Sequence, residues 1–193
     1  MTASRSRSFL VGNWKMNLDE TATKALVSAL LNSLPFDRVD AAVAPSFPCL
    51  RAVLDLVAGG PLAVAAQNMH WEAKGAYTGE VSPPVLFDMG VRFVIIGHSE
   101  RRVHFGETDA TVAHKVLAAT RHGLAPIVCV GENEAQRDAG LTRDVVVAQV
   151  RAALGDREAV MRHRPARRLL DAAARTRTRG TPLLRWKRGS FWR

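Results

Sequence analysis

An α/β fold built on a parallel sheet is predicted for this chain, from three observations. Apolar runs of strand length recur five times, and they are near-continuous rather than alternating, as strands covered on both faces read. Amphipathic helical segments fall between them, at roughly 20–35 residues per strand–helix unit. Polar residues stand at the C-terminal ends of several strands: Asn13 and Lys15, Ser46, Gln67 and Asn68, His98 and Glu100, and Glu132. That last pattern favours a (β/α)8 barrel, whose strand ends line one mouth. An open doubly wound sheet would often carry a Gly-rich phosphate turn after its first strand. Here the first strand ends "GNWKMN", with one glycine and a lysine. Eight units need ~250 residues, so only about the first five are expected before the composition changes.

The first strand is read at residues 9–14 ("FLVGNW"). Asp19 then caps a helix whose apolar face is Leu26, Val27, Leu30, Leu31 and Leu34. The second strand is 39–45 ("VDAAVAP"), followed by a helix through Leu50, Val53, Leu54 and Val57 that stops at Gly59-Gly60. The third strand is 62–68 ("LAVAAQN"). Ser82 and Pro83 read as an N-cap and a first-turn proline, with Gly90 closing that helix. The fourth strand is 91–97 ("VRFVIIG"). Asp109 is read as the cap of a helix carrying Val112, Val116 and Leu117, ended by Gly123. The fifth strand is 124–131 ("LAPIVCVG"), and "GENEAQRDAG" after it reads as a loop. Val146, Val150 and Leu154 form a last helix ending at Gly155, and no strand-like apolar run follows Leu154.

The 193 residues carry a formal net charge of +9, a balance that points towards nucleic acid or an acidic partner. Its location weakens that inference. Residues 1–156 hold 15 basic and 16 acidic side chains, and residues 157–193 hold 12 and 2. Residues 1–156 are therefore charge-balanced, and the chain divides into a body, residues 8–156, and an Arg-rich tail, 157–193, of another kind of sequence. No apolar run approaches the ~18 residues of a membrane helix. "MTASRSRSF" has no apolar stretch behind its basic residues, so no secretory leader is predicted. Cys49 and Cys129 lie at no metal spacing and read as free, buried thiols of a reducing cytosol.

Four residues at the strand ends are candidates for chemistry. Lys15 could neutralise a phosphate or a developing oxyanion, or it is a solvated lysine at a loop start. His98 stands between Gly97 and Ser99, where a turn or helix begins. Nearby backbone N–H groups would disfavour a positive ring and leave a neutral imidazole that donates a hydrogen bond; the alternative is a structural histidine. Glu100 is a second acid, or the ion partner of Arg101, Arg102 or Lys15. Asn13 could hold a polar substrate or serve only its own turn. The remaining histidines, His70, His104, His114, His122 and His163, show no metal spacing and are read as non-catalytic. No Gly-x-Ser-x-Gly elbow and no P-loop is present.

Taken in order, "VGNWKMN", "AQNMHWEAKGAYTGEVSP", "FVIIGHSERR" with "FGETD", and "IVCVGE" resemble the triosephosphate isomerase family. The resemblance covers residues 8 to about 156. It implies the TIM barrel and the interconversion of dihydroxyacetone phosphate with glyceraldehyde 3-phosphate, without metal or organic cofactor. By the same resemblance Lys15 binds the substrate and offsets its charge, and Asn13 helps hold it. His98 is the neutral electrophile, as in the standard description of this enzyme's chemistry, and Glu100 orients Lys15. The loop around Thr78 resembles the one that enters a partner subunit, implying a homodimer. A cytoplasmic place in glycolysis and gluconeogenesis is implied too.

The family pattern breaks near Asp156. Its general base is a glutamate in a run like Tyr-Glu-Pro-Val-Trp-Ala-Ile-Gly, which would fall near Arg168. No glutamate follows Glu158, and neither Glu158 nor Asp171 ends a strand that would hold a base in place. The flexible lid and the Gly-rich phosphate turns are missing as well. The chain as written is therefore expected to be inactive, and its five strands, with two raw sheet edges, to fold poorly. A GC-rich gene read out of frame yields Arg-rich text of this kind. Two other readings give the tail or the body a role: a basic extension with Trp186 and Trp192 that binds nucleic acid, or a half-barrel scaffold that binds a full-length subunit.

Overall fold

The computed structural model describes residues 8–155, together with the strand residues 173–174 and 183–186. Five parallel strands appear in the expected order: β1 (Ser8–Asn13), β2 (Val39–Ala44), β3 (Leu62–Ala66), β4 (Phe93–Ile96) and β5 (Ala125–Cys129). Each pairs with its neighbour in sequence, Asn13 standing opposite Ala44 and Ile96 opposite Val128. The connections run through α1 (Glu20–Ser33), a 3-10 turn (Phe47–Cys49) leading into α2 (Leu50–Val57), and α3 (Pro83–Met89). Beyond β4 come α4 (Ser99–His104) and α5 (Asp109–Arg121), and beyond β5 come α6 (Glu134–Asp138) and α7 (Thr142–Leu154).

The pleat sorts side chains into two apolar layers, because successive residues of a strand face opposite sides. Ala41, Val43, Leu62, Val64, Ala66, Val94 and Ile96 point out to the helices and pack with Val27, Val53, Leu86, Val112 and Val116. Val11, Ala42, Ala44, Ala65, Ile95, Ile127 and Cys129 form a second cluster on the other face, flanked by Phe9 and Phe93. The rings of Phe9 and Phe93 meet with centroids 4.8 Å apart, although β1 and β4 are three strands apart in the sheet. In a flat sheet three strand spacings would separate them by about 14 Å. The sheet is therefore curled towards its small-residue face, as a partial barrel is, and that curl brings the strand ends together.

Local sequence explains most element boundaries. Asp19 accepts the Ala22 N–H at 2.8 Å and starts α1. Pro83 occupies the first turn of α3, and Gly90, with φ of 101°, ends it by donating to the carbonyls of Leu86 and Phe87. Only a residue without Cβ adopts that left-handed turn freely.

Three sequence expectations are corrected. The cap of α5 is Thr108 rather than Asp109: Thr108 and Thr111 exchange side-chain and backbone bonds at 2.9 and 3.3 Å, leaving Asp109 free to bind Arg102. Residues 134–138 are helical rather than loop. Asn133 and Gln136 form a reciprocal capping box, both bonds 2.9 Å, and this Asn-x-x-Gln signal is legible in the sequence. The chain after Leu154 does contribute strands: β6 (Ala173–Ala174) lies parallel to β5, and β7 (Leu183–Trp186) lies antiparallel to β1. Both sheet edges, expected raw, thus carry backbone pairing over two and four residues. An unpaired edge offers a row of N–H and C=O groups to any extended segment, so short runs that show no strand signal of their own can still pair there. The rest of the Arg-rich tail, with Glu158, His163, Arg168, Asp171 and Trp192, lies outside the described residues.

Candidate active site

The ends of β1, β3 and β4 deliver the candidate residues to one place. β4 ends at Ile96, and Gly97 makes the turn with φ of 76°. A Cβ there would lie 3.0 Å from the Cys129 carbonyl oxygen and 3.1 Å from Val112, so the β4 end sits directly against β5 and α5. Arg102 fixes the same turn, with Nε donating to the Gly97 carbonyl at 3.0 Å and Nη1 to Asp109 at 2.6 Å.

His98 then serves as the N-cap of α4. Its Nδ1 accepts the Glu100 backbone N–H at 3.3 Å. A ring nitrogen that accepts from an amide carries no proton, so the neutral ring holds its hydrogen on Nε2. The side chain is only 7 % exposed, and burial holds the imidazole below its ordinary value of 6.5. Glu100 opposes that shift, Lys15 reinforces it and Glu107 opposes it weakly. Desolvation, rather than the neighbouring backbone N–H groups that the sequence suggests, is the leading cause.

Lys15 reaches this histidine from β1. Its Nζ lies 2.5 Å from Glu100 Oε1, while Glu100 Oε2 stands 3.6 Å from His98 Nδ1. Of the partners weighed for Glu100, Lys15 is the one it binds. Lys15 has a left-handed backbone, φ of 55°, a conformation that costs an L-residue about 1–2 kcal/mol. Strain of this kind persists where surrounding groups over-determine it. Here the Asn13 side chain accepts the Lys15 N–H at 3.0 Å, and the Gln67 amide donates to the Lys15 carbonyl at 2.8 Å.

A buried ionic group supports the site from below. Lys115 Nζ donates to Glu107 at 2.7 Å and to Asn68 at 2.8 Å, with the lysine and glutamate side chains 6 % and 2 % exposed. Arg101 Nε stands 3.4 Å from the second Glu107 oxygen. The sequence reading passed over Lys115 and Glu107. Their signal is a lysine inside the apolar stripe of α5, between Val112 and Val116, where a charge needs a buried partner. Gln67 was visible as a strand-end polar residue without a role.

Other candidates lie apart. Thr78 sits in the fully exposed segment 72–80, and among the described residues no hydrogen bond ties it to Lys15, His98 or Glu100. That segment is anchored at its base by His70, which stacks between Trp71 and Tyr77, both at 4.2 Å, and whose N–H donates to the Val81 carbonyl. Glu132, at the β5 end, is held low by its own backbone N–H and by Arg137, 3.0 Å away. A groove of about 400 Å³ between α1 and α2 lies on the outer helical layer, and its charges pair with one another, Lys24 with Glu20 and Arg51 with Asp55.

Neutral imidazole, ammonium and carboxylate thus converge at the mouth of a curled parallel sheet, an arrangement able to polarise a carbonyl and offset negative charge. Comparison with known proteins points to one family. The family model for triosephosphate isomerase matches residues 8–163. A triosephosphate isomerase from Chloroflexus aurantiacus is 56% identical over 147 residues, covering 75% of this chain and 58% of the relative. One from Moorella thermoacetica is 51% identical over 148 residues, 77% of this chain and 59% of the relative. One from Acetivibrio thermocellus is 51% identical over 143 residues, 74% and 57%. The chain spans somewhat under three-fifths of the length of these relatives. On the strength of the family match and these identities, the chain belongs to the triosephosphate isomerase family.

Proposed function

We propose that this chain carries the electrophilic half of a site for interconverting dihydroxyacetone phosphate and D-glyceraldehyde 3-phosphate through an enediolate. The observation that carries the reading is the bond from the Glu100 N–H to His98 Nδ1, which leaves the hydrogen of a neutral ring on Nε2. That hydrogen polarises the substrate carbonyl and can pass between the two enediolate oxygens without the ring ever becoming a strong acid. The Lys15 ammonium offsets the negative charge of the phosphate and of the enediolate. Glu100 holds Lys15 in place, and Asn13 orients the substrate while fixing the Lys15 backbone.

Isomerisation also needs a base to take the carbon-bound proton. The resemblance places that glutamate near Arg168, where this sequence has none, so the chain by itself is expected to turn over ~10²–10⁴-fold more slowly than a complete relative, or less. The homodimer belongs to the same reading. Met16, 96 % exposed, follows Lys15 directly, Phe105, 66 % exposed, ends α4 beyond Glu100, and the 72–80 segment is exposed throughout. A second subunit would cover these apolar surfaces. The family role sets the expected setting as cytoplasmic glycolysis and gluconeogenesis.

The test is the purified full chain, assayed in both directions beside a complete relative, with His98 followed by NMR during addition of dihydroxyacetone phosphate. Perturbed His98 signals with little or no turnover are the expected result. Turnover equal to the relative's would overturn the missing-base reading, and His98 signals indifferent to the substrate would overturn the site. The gene read in all three frames from the Val150 codon onward is expected to yield the Tyr-Glu-Pro-Val-Trp run in another frame.

A further inference from the structure

Gln67 holds two main-chain carbonyls beside the site, and the reading above gives it no task. It follows β3, yet its side chain reaches across β2 to the chain beyond β1. Nε2 donates to the Ala44 carbonyl at 2.9 Å and to the Lys15 carbonyl at 2.8 Å. Two carbonyl acceptors fix the orientation of the amide, since its oxygen in the same place would meet both of them lone pair to lone pair. Both donors of the NH2 group are then used.

The Ala44 carbonyl also accepts the Trp14 N–H at 3.0 Å. One oxygen thus joins β2 to the end of β1 and to the Gln67 amide. Beyond Trp14 the chain enters the left-handed turn at Lys15, where sheet pairing has ended. From there the Lys15 backbone is held by side chains at both of its polar groups, Asn13 on the N–H and Gln67 on the carbonyl. Asn13 is two residues away and moves with β1. Gln67 is 52 residues away and ties the turn to a different strand.

We infer that Gln67 is a positioning residue for Lys15: its amide clamps the left-handed turn against β2 and β3 and so sets where the ammonium stands relative to Glu100 and His98. This rests on the site reading above, in which Lys15 and His98 act together. It does not require that the chain turn over substrate. Without the clamp the Lys15 carbonyl loses its side-chain donor, the turn relaxes, and the ammonium no longer dwells beside His98.

The readout is His98 itself, titrated by NMR in the full chain without substrate. The charged groups acting on it are Glu100, Lys15 and Glu107, and of these Lys15 is the one that lowers its proton affinity. Gln67→Met keeps the length of the side chain and removes both donors. It is expected to raise the His98 titration midpoint by about half a unit or more, in the same direction as Lys15→Met. Gln149→Met is the control: it removes a comparable pair of side-chain bonds, to Gly131 beyond β5 at 2.8 and 3.2 Å, neither of which involves Lys15, Glu100 or Glu107, and should leave His98 where it was. A midpoint that moves in Lys15→Met but not in Gln67→Met overturns the assignment, as does one that moves equally in Gln149→Met or in none of the three. In the unmutated chain, scalar coupling across the hydrogen bond from Gln67 Nε2 to the Lys15 carbonyl carbon is expected, and its absence overturns the assignment whether or not the variants fold. Failure of the substrate titration with a normal Gln67 response would instead count against the isomerase reading alone.

Discussion

Replacing Lys115 by methionine removes one member of the most deeply buried ion pair among the described residues. The ammonium lies 2.7 Å from Glu107 and 2.8 Å from Asn68, with 6 % of its side chain exposed. Methionine fills most of the same volume, so packing changes little. What remains is a carboxylate 2 % exposed, with one oxygen stripped of its donor and the other 3.4 Å from Arg101 Nε without hydrogen-bond geometry. Breaking a buried pair in this way costs about 3–5 kcal/mol. Against a total margin of ~5–15 kcal/mol, that is a large fraction. In a domain of this size it corresponds to roughly 10 °C or more in Tm. The assay is urea unfolding at pH 7 followed by circular dichroism, with m compared to the parent so that a change in the unfolded state is recognised. Adding Glu107→Gln to Lys115→Met should recover part of the loss, because no uncompensated charge is left inside, giving a coupling of about 0.5–3 kcal/mol. A single variant within about 1 kcal/mol of the parent, or a double variant no better than the sum of the two single changes, would refute the reasoning.

Gly97→Ala should destabilise by about 2–4 kcal/mol in the same urea assay, because φ of 76° is unfavourable for alanine and the new methyl meets the immobile Cys129 carbonyl at 3.0 Å. The His98 titration makes stability depend on pH. The folded-state value is lowered, so between it and the ordinary 6.5 the folded chain binds fewer protons than the unfolded one. Stability is then full above 6.5 and falls as the pH drops through that window; His98→Gln should flatten the slope there, as read from urea midpoints between pH 7 and 5. Burial pushes the Cys129 thiol up to about 12, and Cys49 is buried too. At pH 8 both should react with a thiol-specific chromogenic disulfide only in denaturant, and rapid labelling of the native chain would contradict the packing of the inner cluster.

Much of the body was legible because its signals are local and dense. Continuous apolar runs gave five strands, and Asp19, Pro83, Gly90 and Gly123 marked helix ends for steric or hydrogen-bonding reasons that hold wherever those residues occur. The convergence of Lys15 and His98 followed from a barrel's geometry, since strand ends share one mouth. What was not legible depends on partners distant in sequence. The choice among three cations for Glu100 is made by the curl of the sheet, not by any spacing near residue 100. Lys115 looked like any helical lysine until its position in the apolar stripe was set against Glu107 and Asn68. The corrected cap at Thr108 shows a competition the sequence leaves open: either of two adjacent oxygens could begin α5, and Asp109 is drawn away by Arg102. β7 has no intrinsic strand pattern and is paired because an edge was available.

The two contacts that define the candidate electrophile differ sharply in range. The bond that sets the His98 tautomer spans two residues, from its own ring to the Glu100 N–H, and needs only β4 and the first turn of α4. The contact that brings the cation spans 85 residues and needs β1 to β4 assembled and curled. Closing a long loop carries an entropic cost that a local turn does not meet. The tautomer-setting bond can therefore form from local chain alone, while the burial that keeps the ring neutral and the ammonium beside it both await the curled sheet. Lesions in β1, or in the β7 pairing along its outer edge, would leave that local bond in place with no positive charge beside it.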